Sequence, residues 1–233
     1  MNATTKTVLI TGATRSIGLK FAEMYVSLGW KVIGAARDLA KAHQLRALSP
    51  YKIVQLDTRD EVSILNAAKE LEGEAIDLLI NNAGVLAGGI FAESKAEMMT
   101  QFEVNSVGPF LVTRAFVPHL KAAVAKHDSA SVVQMASSMG SITLNNGKWH
   151  GCFGYRASKA ALHMFNMSLA HELQPAGIGA FALHPGWVAT DISGGVGEID
   201  PHTSVTGLIH VIEGLTMAET GRFYNNNGVS MPW

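Results

Sequence analysis

Short β-branched runs alternate with longer stretches of helical period along the whole chain, and this alternation constrains the fold more than any other feature. The run TVLIT at 7–11 gives way to a glycine-containing turn. Residues 17–28 then put Ile17, Phe21, Met24, Tyr25 and Leu28 on one helical face, and Gly29 stands where a helix C′ glycine belongs. The cycle repeats, with strands expected at 31–35, 53–56 and 76–80 and helices at 39–48 and 60–71. A long helical stretch over 94–125, broken near Gly108-Pro109, leads to a strand at 131–136. A helix at 155–174, a strand at 178–183, a helix at 204–215 and a last strand near 221–224 complete the pattern. Strands separated by helices pair in parallel through right-handed crossovers, so the expected class is α/β with a doubly wound sheet. No linker, repeat or low-complexity segment interrupts the 233 residues, and one core can hold a chain of that length. A single domain over 1–233 is expected.

Composition removes several classes of partner. Apolar residues make up 48% and charged residues 16%, a globular balance. The formal net charge of −1 and the absence of any basic run argue against nucleic acid and anionic membranes. No window approaches the ~18 apolar residues of a membrane span, and the N-terminal residues are too polar for a signal peptide. The single Cys152 fits a reducing compartment. The expected location is the cytoplasm.

Ligands of such sheets bind beyond the carboxyl ends of the strands. The first of those ends carries TGATRSIG at 11–18, in which Gly12, Thr14, Arg15, Ser16, Ile17 and Gly18 form a turn onto a helix N-terminus. Small residues let a diphosphate approach there, and the free N–H groups of the helix attract it. The end of the second strand selects the nucleotide. A carboxylate would bond a ribose 2′-hydroxyl, but this chain has Ala36 followed by Arg37, with Arg15 as a second cation. Two guanidinium groups suit a 2′-phosphate, so NADP(H) is the expected cofactor, although a solvated surface cation is the plain alternative for Arg37. Asp38 reads as a helix N-cap. Asp57 can receive the adenine amino group or simply cap a turn.

Tyr155 and Lys159 lie four apart, on one face of a helix. A phenol near pKa ~10 is a poor acid-base catalyst, and a neighbouring ammonium is expected to lower it. Tyr155 would then exchange a proton with a carbonyl oxygen while hydride moves at the carbon. Ser138, from the pair Ser137-Ser138, is expected to bond the same oxygen, with a turn or cap as the alternative.

The set TGATRSIG (11–18), NNAG (81–84), Asn105, Ser138, YRASK (155–159) and HPGWVATD (184–191) resembles the short-chain dehydrogenase/reductase family from end to end. The C-terminal stretch is similar to the branch with C-factor-like and carbonyl-reductase-like members. The resemblance implies a Rossmann-type fold with a seven-stranded parallel sheet and a nicotinamide cofactor. It implies that Ser138, Tyr155, Lys159 and Asn105 are catalytic, Asn105 by kinking its helix and anchoring a water. Asn81, Ala83 and Gly84 would lie beside the adenosine ribose, and Pro185, Gly186, Val188 and Thr190 would hold the nicotinamide. It also implies pairing through the long helices into a homodimer or homotetramer, whereas the long loop at 145–153 resembles that of monomeric members.

Two departures stand out. Ser16 replaces a customary glycine, and sixteen residues separate Ser138 from Tyr155 where twelve are common. Trp149 and Phe153 in that longer loop are candidate apolar contacts, and Gly194, Gly195 and Gly197 suggest a lid. No HExxH, zinc-spaced Cys/His cluster or nucleophile elbow occurs, so no metal is expected. The functional expectation is NADPH-dependent reduction of an aldehyde or ketone. A low-turnover nucleotide-binding regulator and an NAD-dependent alcohol dehydrogenase are the alternatives. Arg37→Asp should weaken NADPH relative to NADH by about tenfold or more in paired binding titrations. An unchanged ratio would remove the argument from the second strand.

Overall fold

The computed structural model describes residues 5–89, 91–147 and 150–233. Seven strands form one parallel sheet in the order β3-β2-β1-β4-β5-β6-β7. They are β1 (Thr7–Thr11), β2 (Lys31–Ala36), β3 (Lys52–Gln55), β4 (Leu78–Asn81), β5 (Ala130–Met135), β6 (Ile178–His184) and β7 (Phe223–Asn225). The central strands read as unbroken apolar runs because both faces are covered, as in β1, where every residue is buried. One face packs α1 (Ser16–Ser27), α2 (His43–Ala47) and α7 (Pro201–Gly214), through Phe21, Tyr25, Leu45 and Leu208. The other packs α3 (Glu61–Glu70), α5 (Gly108–His127) and α6 (Phe153–Leu173), through Ile64, Phe116, Leu120 and Leu169. Strand order reverses between β1 and β4, which opens a crevice at their carboxyl ends.

Several expected boundaries shift. The helix at 39–48 is a 3-10 turn, Leu39–Lys41, followed by the one-turn α2. Asp38 caps that 3-10 turn through Ala40 N, as its position suggested. The strand at 76–80 begins later, at Leu78, and the helix carrying Tyr155 starts at Phe153. The stretch 94–125 comprises α4 (Lys95–Phe102), a π-helical turn at Glu103–Val107 and α5. The break therefore centres on Asn105. Its cause is local: Pro109 has no N–H, so the Asn105 carbonyl loses its i+4 donor and the helix widens by one residue.

At the amino ends of the central strands a buried carboxylate ties three segments together. Asp77 Oδ2 accepts from Thr7 N at 2.7 Å, Asp77 Oδ1 pairs with His127 Nδ1, and the Asp77 carbonyl accepts from Ser131 N at 2.8 Å. Asp77→Ala should destabilise the fold by about 3 kcal/mol in urea unfolding, because a buried N–H and an imidazole lose their shared acceptor. A loss below about 0.5 kcal/mol would show that the network contributes nothing.

Candidate active site

The carboxyl ends of β1, β2, β4, β5 and β6 surround one cleft. Its floor is built by cross-links between the first and fourth strands. Thr11 Oγ1 accepts from Asn82 N at 3.0 Å and Ala83 N at 3.1 Å, and Asn82 Nδ2 donates to Thr11 O at 2.9 Å and Gly12 O at 3.2 Å. Asn82 thus braces the glycine turn, a role the sequence did not single out. Gly12 sits at φ +64°, and a Cβ on Gly18 would lie 2.3 Å from the Gly12 carbonyl oxygen, so the helix–strand approach requires glycine there. Ser16 also has positive φ, +49°, in the position where the resembling family has glycine. A serine in that conformation costs about 1 kcal/mol, and the fold sustains it.

The N-terminus of α1 has no side-chain cap and no acidic residue in its first turn, and it opens onto the cleft. Uncapped N–H groups beside a glycine turn suit a diphosphate, so the residues present fit a dinucleotide. Arg15, Arg37, Asp57, Gly84, Tyr155, Lys159, Pro185 and Thr190 line the same cleft, with Thr14, Ser16, Ile17 and Ala83. Arg37 has no acid partner among the described residues, whereas Arg15 is ion-paired with Asp191. Arg59, which no sequence motif marks, also lines it and pairs with Glu103 at 3.2 Å.

Other expected residues act from beneath or beside the cleft. Asn81 is buried and donates to Thr113 Oγ1 at 3.0 Å, fixing β4 to α5. Val188 is buried and bridges to Ile199, and Gly186 makes the turn after β6 at φ +87°. The glycine-rich segment expected to form a lid folds on itself: Ala189 N donates to Ile199 O at 2.9 Å and Glu198 N to Trp187 O at 2.8 Å. Of the two candidate apolar contacts, Trp149 lies outside the described residues. Phe153 stacks on Phe91 with ring centroids 5.4 Å apart. Glu93 holds that corner by accepting from Gly154 N at 2.7 Å.

Asn105 clamps the loop after β4. Its Nδ2 donates to Val85 O at 2.8 Å and to Ser158 Oγ at 3.0 Å, and its Oδ1 accepts from Val85 N at 2.9 Å. Ser106 Oγ donates to Ser158 O at 2.6 Å. The π turn and α6 are thereby locked one residue before Lys159. Gly140 completes the fit, since a Cβ there would meet the Lys159 backbone at 2.7 Å.

Lys159 Nζ donates to Met135 O at 2.7 Å and stands 5.7 Å from the Tyr155 ring centroid. Burial lowers the Lys159 ammonium to about 8. Burial also raises the Tyr155 phenol, opposed by a hydrogen bond with the Ser137 hydroxyl and reinforced by Cys152. This differs from the expectation of a phenol lowered by its neighbouring ammonium. Desolvation is the largest influence on the phenol, and the Ser137 hydrogen bond is what opposes it. The hydroxyl at the phenol is that of Ser137 rather than Ser138. Ser137 continues the extended backbone of β5 and alternates onto the face of Met135, which lines the cleft, whereas Ser138 begins a 3-10 turn. Strand alternation singles out Ser137, but only once the end of β5 is known. Behind Lys159, burial holds His163 and His184 down to about 4, so neither imidazole competes for its proton near neutrality. Among the described residues there is no His/Cys/Asp/Glu cluster able to hold a metal, and no helix is long and apolar enough to cross a membrane.

A family model for short chain dehydrogenases matches residues 6–199. C-signal of Myxococcus xanthus is 38% identical over 162 residues, which span 68% of this chain and 93% of that protein. The NADPH-bound carbonyl reductase from chicken fatty liver superposes with a TM-score of 0.90 at 32% identity, covering 98% of this chain and 99% of that one. The carbonyl reductase Sniffer of D. melanogaster superposes at 0.92 with 28% identity, covering 98% and 100%.

A lysine moved out of water carries a stability penalty in its charged form. Below pH 8 both folded and unfolded chains hold the proton, and the penalty is complete. Between about 8 and the ordinary lysine value the folded chain binds fewer protons, so stability recovers as pH rises. Lys159→Met should therefore stabilise the fold at pH 7 by about 2 kcal/mol in denaturant titrations, with the gain shrinking toward pH 10. A destabilised variant at pH 7 would contradict this electrostatic account of the site.

Proposed function

The chain belongs to the short-chain dehydrogenase/reductase family, in its C-factor-like and carbonyl-reductase-like branch, and from that premise we propose that it reduces an aldehyde or ketone with NADPH. The observation that carries the reading is the convergence of the Tyr155 phenol, the Ser137 hydroxyl and the Lys159 ammonium at one edge of the dinucleotide cleft. Bound there, the reduced nicotinamide supplies hydride to the carbonyl carbon. Tyr155 is the acid: burial makes its phenol a weaker acid, yet the carbonyl oxygen becomes far more basic than a phenolate as hydride arrives at the carbon, so the proton still passes to it downhill. Ser137 donates to the same oxygen and orients it, in the role first expected of Ser138. Lys159, with its proton held less tightly than an ordinary lysine, returns a proton toward Tyr155 after the transfer. Asn105 keeps the π turn open and α6 in place.

Arg37, standing without an acid partner at the end of β2, supports NADP(H) over NAD(H). Gly12, Ser16, Ile17 and Gly18 would hold the diphosphate, Asp57 the adenine, Ala83 and Gly84 the adenosine ribose, and Pro185, Gly186, Val188 and Thr190 the nicotinamide. The stacked Phe91 and Phe153 rings, beside the first turn of α6, favour a substrate with an apolar body. A complete phenol–hydroxyl–ammonium set favours an enzyme over a regulator that only binds nucleotide.

The test mixes the protein with NADPH and a panel of aldehydes, ketones and quinones, following cofactor absorbance. Tyr155→Phe should abolish turnover and leave NADPH affinity nearly intact. Ser137→Ala should lower kcat/KM by about a hundredfold or more and Ser138→Ala by less than about tenfold. Full activity in Tyr155→Phe would overturn the acid assignment, and the reverse order of the two serine variants would restore Ser138.

A further inference from the structure

We propose that Asp191 sets the strength of NADP(H) selection by competing with the nucleotide's 2′-phosphate for Arg15. The inference rests on the reading that this cleft holds NADP(H), and concerns how the chain's own charges prepare it.

Arg15 and Asp191 come from opposite walls. Arg15 is the N-cap residue of α1, in the glycine turn, and Asp191 follows Thr190 beyond β6, 176 positions away in the sequence. Their side chains form an ion pair, and both line the cleft. The segment that carries Asp191 is fixed. Thr190 and Ser193 cap each other's backbone, Ser193 Oγ donates to Val188 O at 2.8 Å, and Val188 bridges to Ile199. Asp191 is thus a stationary counter-ion held across the groove, on the wall assigned to the nicotinamide.

The two arginines that suit a 2′-phosphate are therefore not equivalent. Arg37 meets an incoming phosphate with its charge unpaired, whereas Arg15 must first leave Asp191. A phosphate gains from Arg15 only the difference between its own attraction and that of the carboxylate. Nothing equivalent acts on NAD(H), which brings no 2′-phosphate to the exchange. Asp191 consequently lowers affinity for NADP(H) selectively. The side chains of Arg15 and Asp191 are 61% and 65% exposed, so the competition is screened and its effect is severalfold rather than a thousandfold. A modest restraint of this kind favours release of the oxidised nucleotide after each turnover.

The experiment is a pair of binding titrations, NADPH and NADH, read by protein fluorescence in the absence of any carbonyl substrate. Both side chains are exposed and distant from the core, so the variants fold. Asp191→Asn should tighten NADPH about two- to fivefold, with NADH changed by less than about 1.5-fold. In an Arg15→Ala background the same substitution should have no effect on NADPH, which separates direct competition from the general field of one lost negative charge. Equal tightening of both nucleotides would show that Arg15 serves the diphosphate common to them and would overturn the proposal. So would no tightening, or an effect that persists without Arg15. Failure of the parent protein to bind either nucleotide would instead overturn the cofactor reading itself, and this inference with it.

Discussion

Burial of Lys159 beneath the half-buried Tyr155 is the constraint on which the site depends. In water a lysine ammonium and a tyrosine phenol lose their protons at nearly the same pH, so neither drives a proton toward the other. Burial draws the lysine down to about 8 and pushes the tyrosine up, so the phenol remains protonated while the lysine approaches the working range. The fold bears a destabilised lysine to achieve this, which is the usual relation between a prepared site and the stability of its scaffold.

That burial is produced by three close approaches. Gly140 lets the turn after β5 press against the backbone of Lys159, Asn105 ties the π turn to Ser158, and Ser106 bonds the Ser158 carbonyl. Each contact holds α6 within one residue of the lysine. The same strand ends that support α6 also support the glycine turn through Thr11 and Asn82. The glycine turn and the Tyr155–Lys159 pair are consequently parts of one edge, and the charged side chains Arg15, Arg37 and Asp191 stand at its rim.

Much of this was legible in the sequence because it rests on local chemistry. Apolar periodicity located all seven strands, and the pairing of helices with strands required the parallel order. The π turn was also implicit, since a proline four residues after Asn105 removes one specific helical donor. What could not be read depends on neighbours distant along the chain. Ser137 and Ser138 are identical in type, and only the pleat of β5 decides which faces the phenol. The direction of the Tyr155 shift depends on how much water the surrounding walls exclude, which no spacing encodes. Asp191 becomes relevant only because the segment after β6 folds back across the glycine turn. The short α2 and the late start of β4 missed their expected boundaries because propensity is weak at element ends.

The most direct measurement is the titration of the Lys159 amine itself, followed by NMR in protein labelled at the lysine side chains and assigned by Lys159→Met. In the cofactor-free protein the amine should titrate with a midpoint near pH 8. A midpoint at the ordinary lysine value, near ~10.4, would mean that the amine is fully solvated. The proposed proton pair would then have no physical basis.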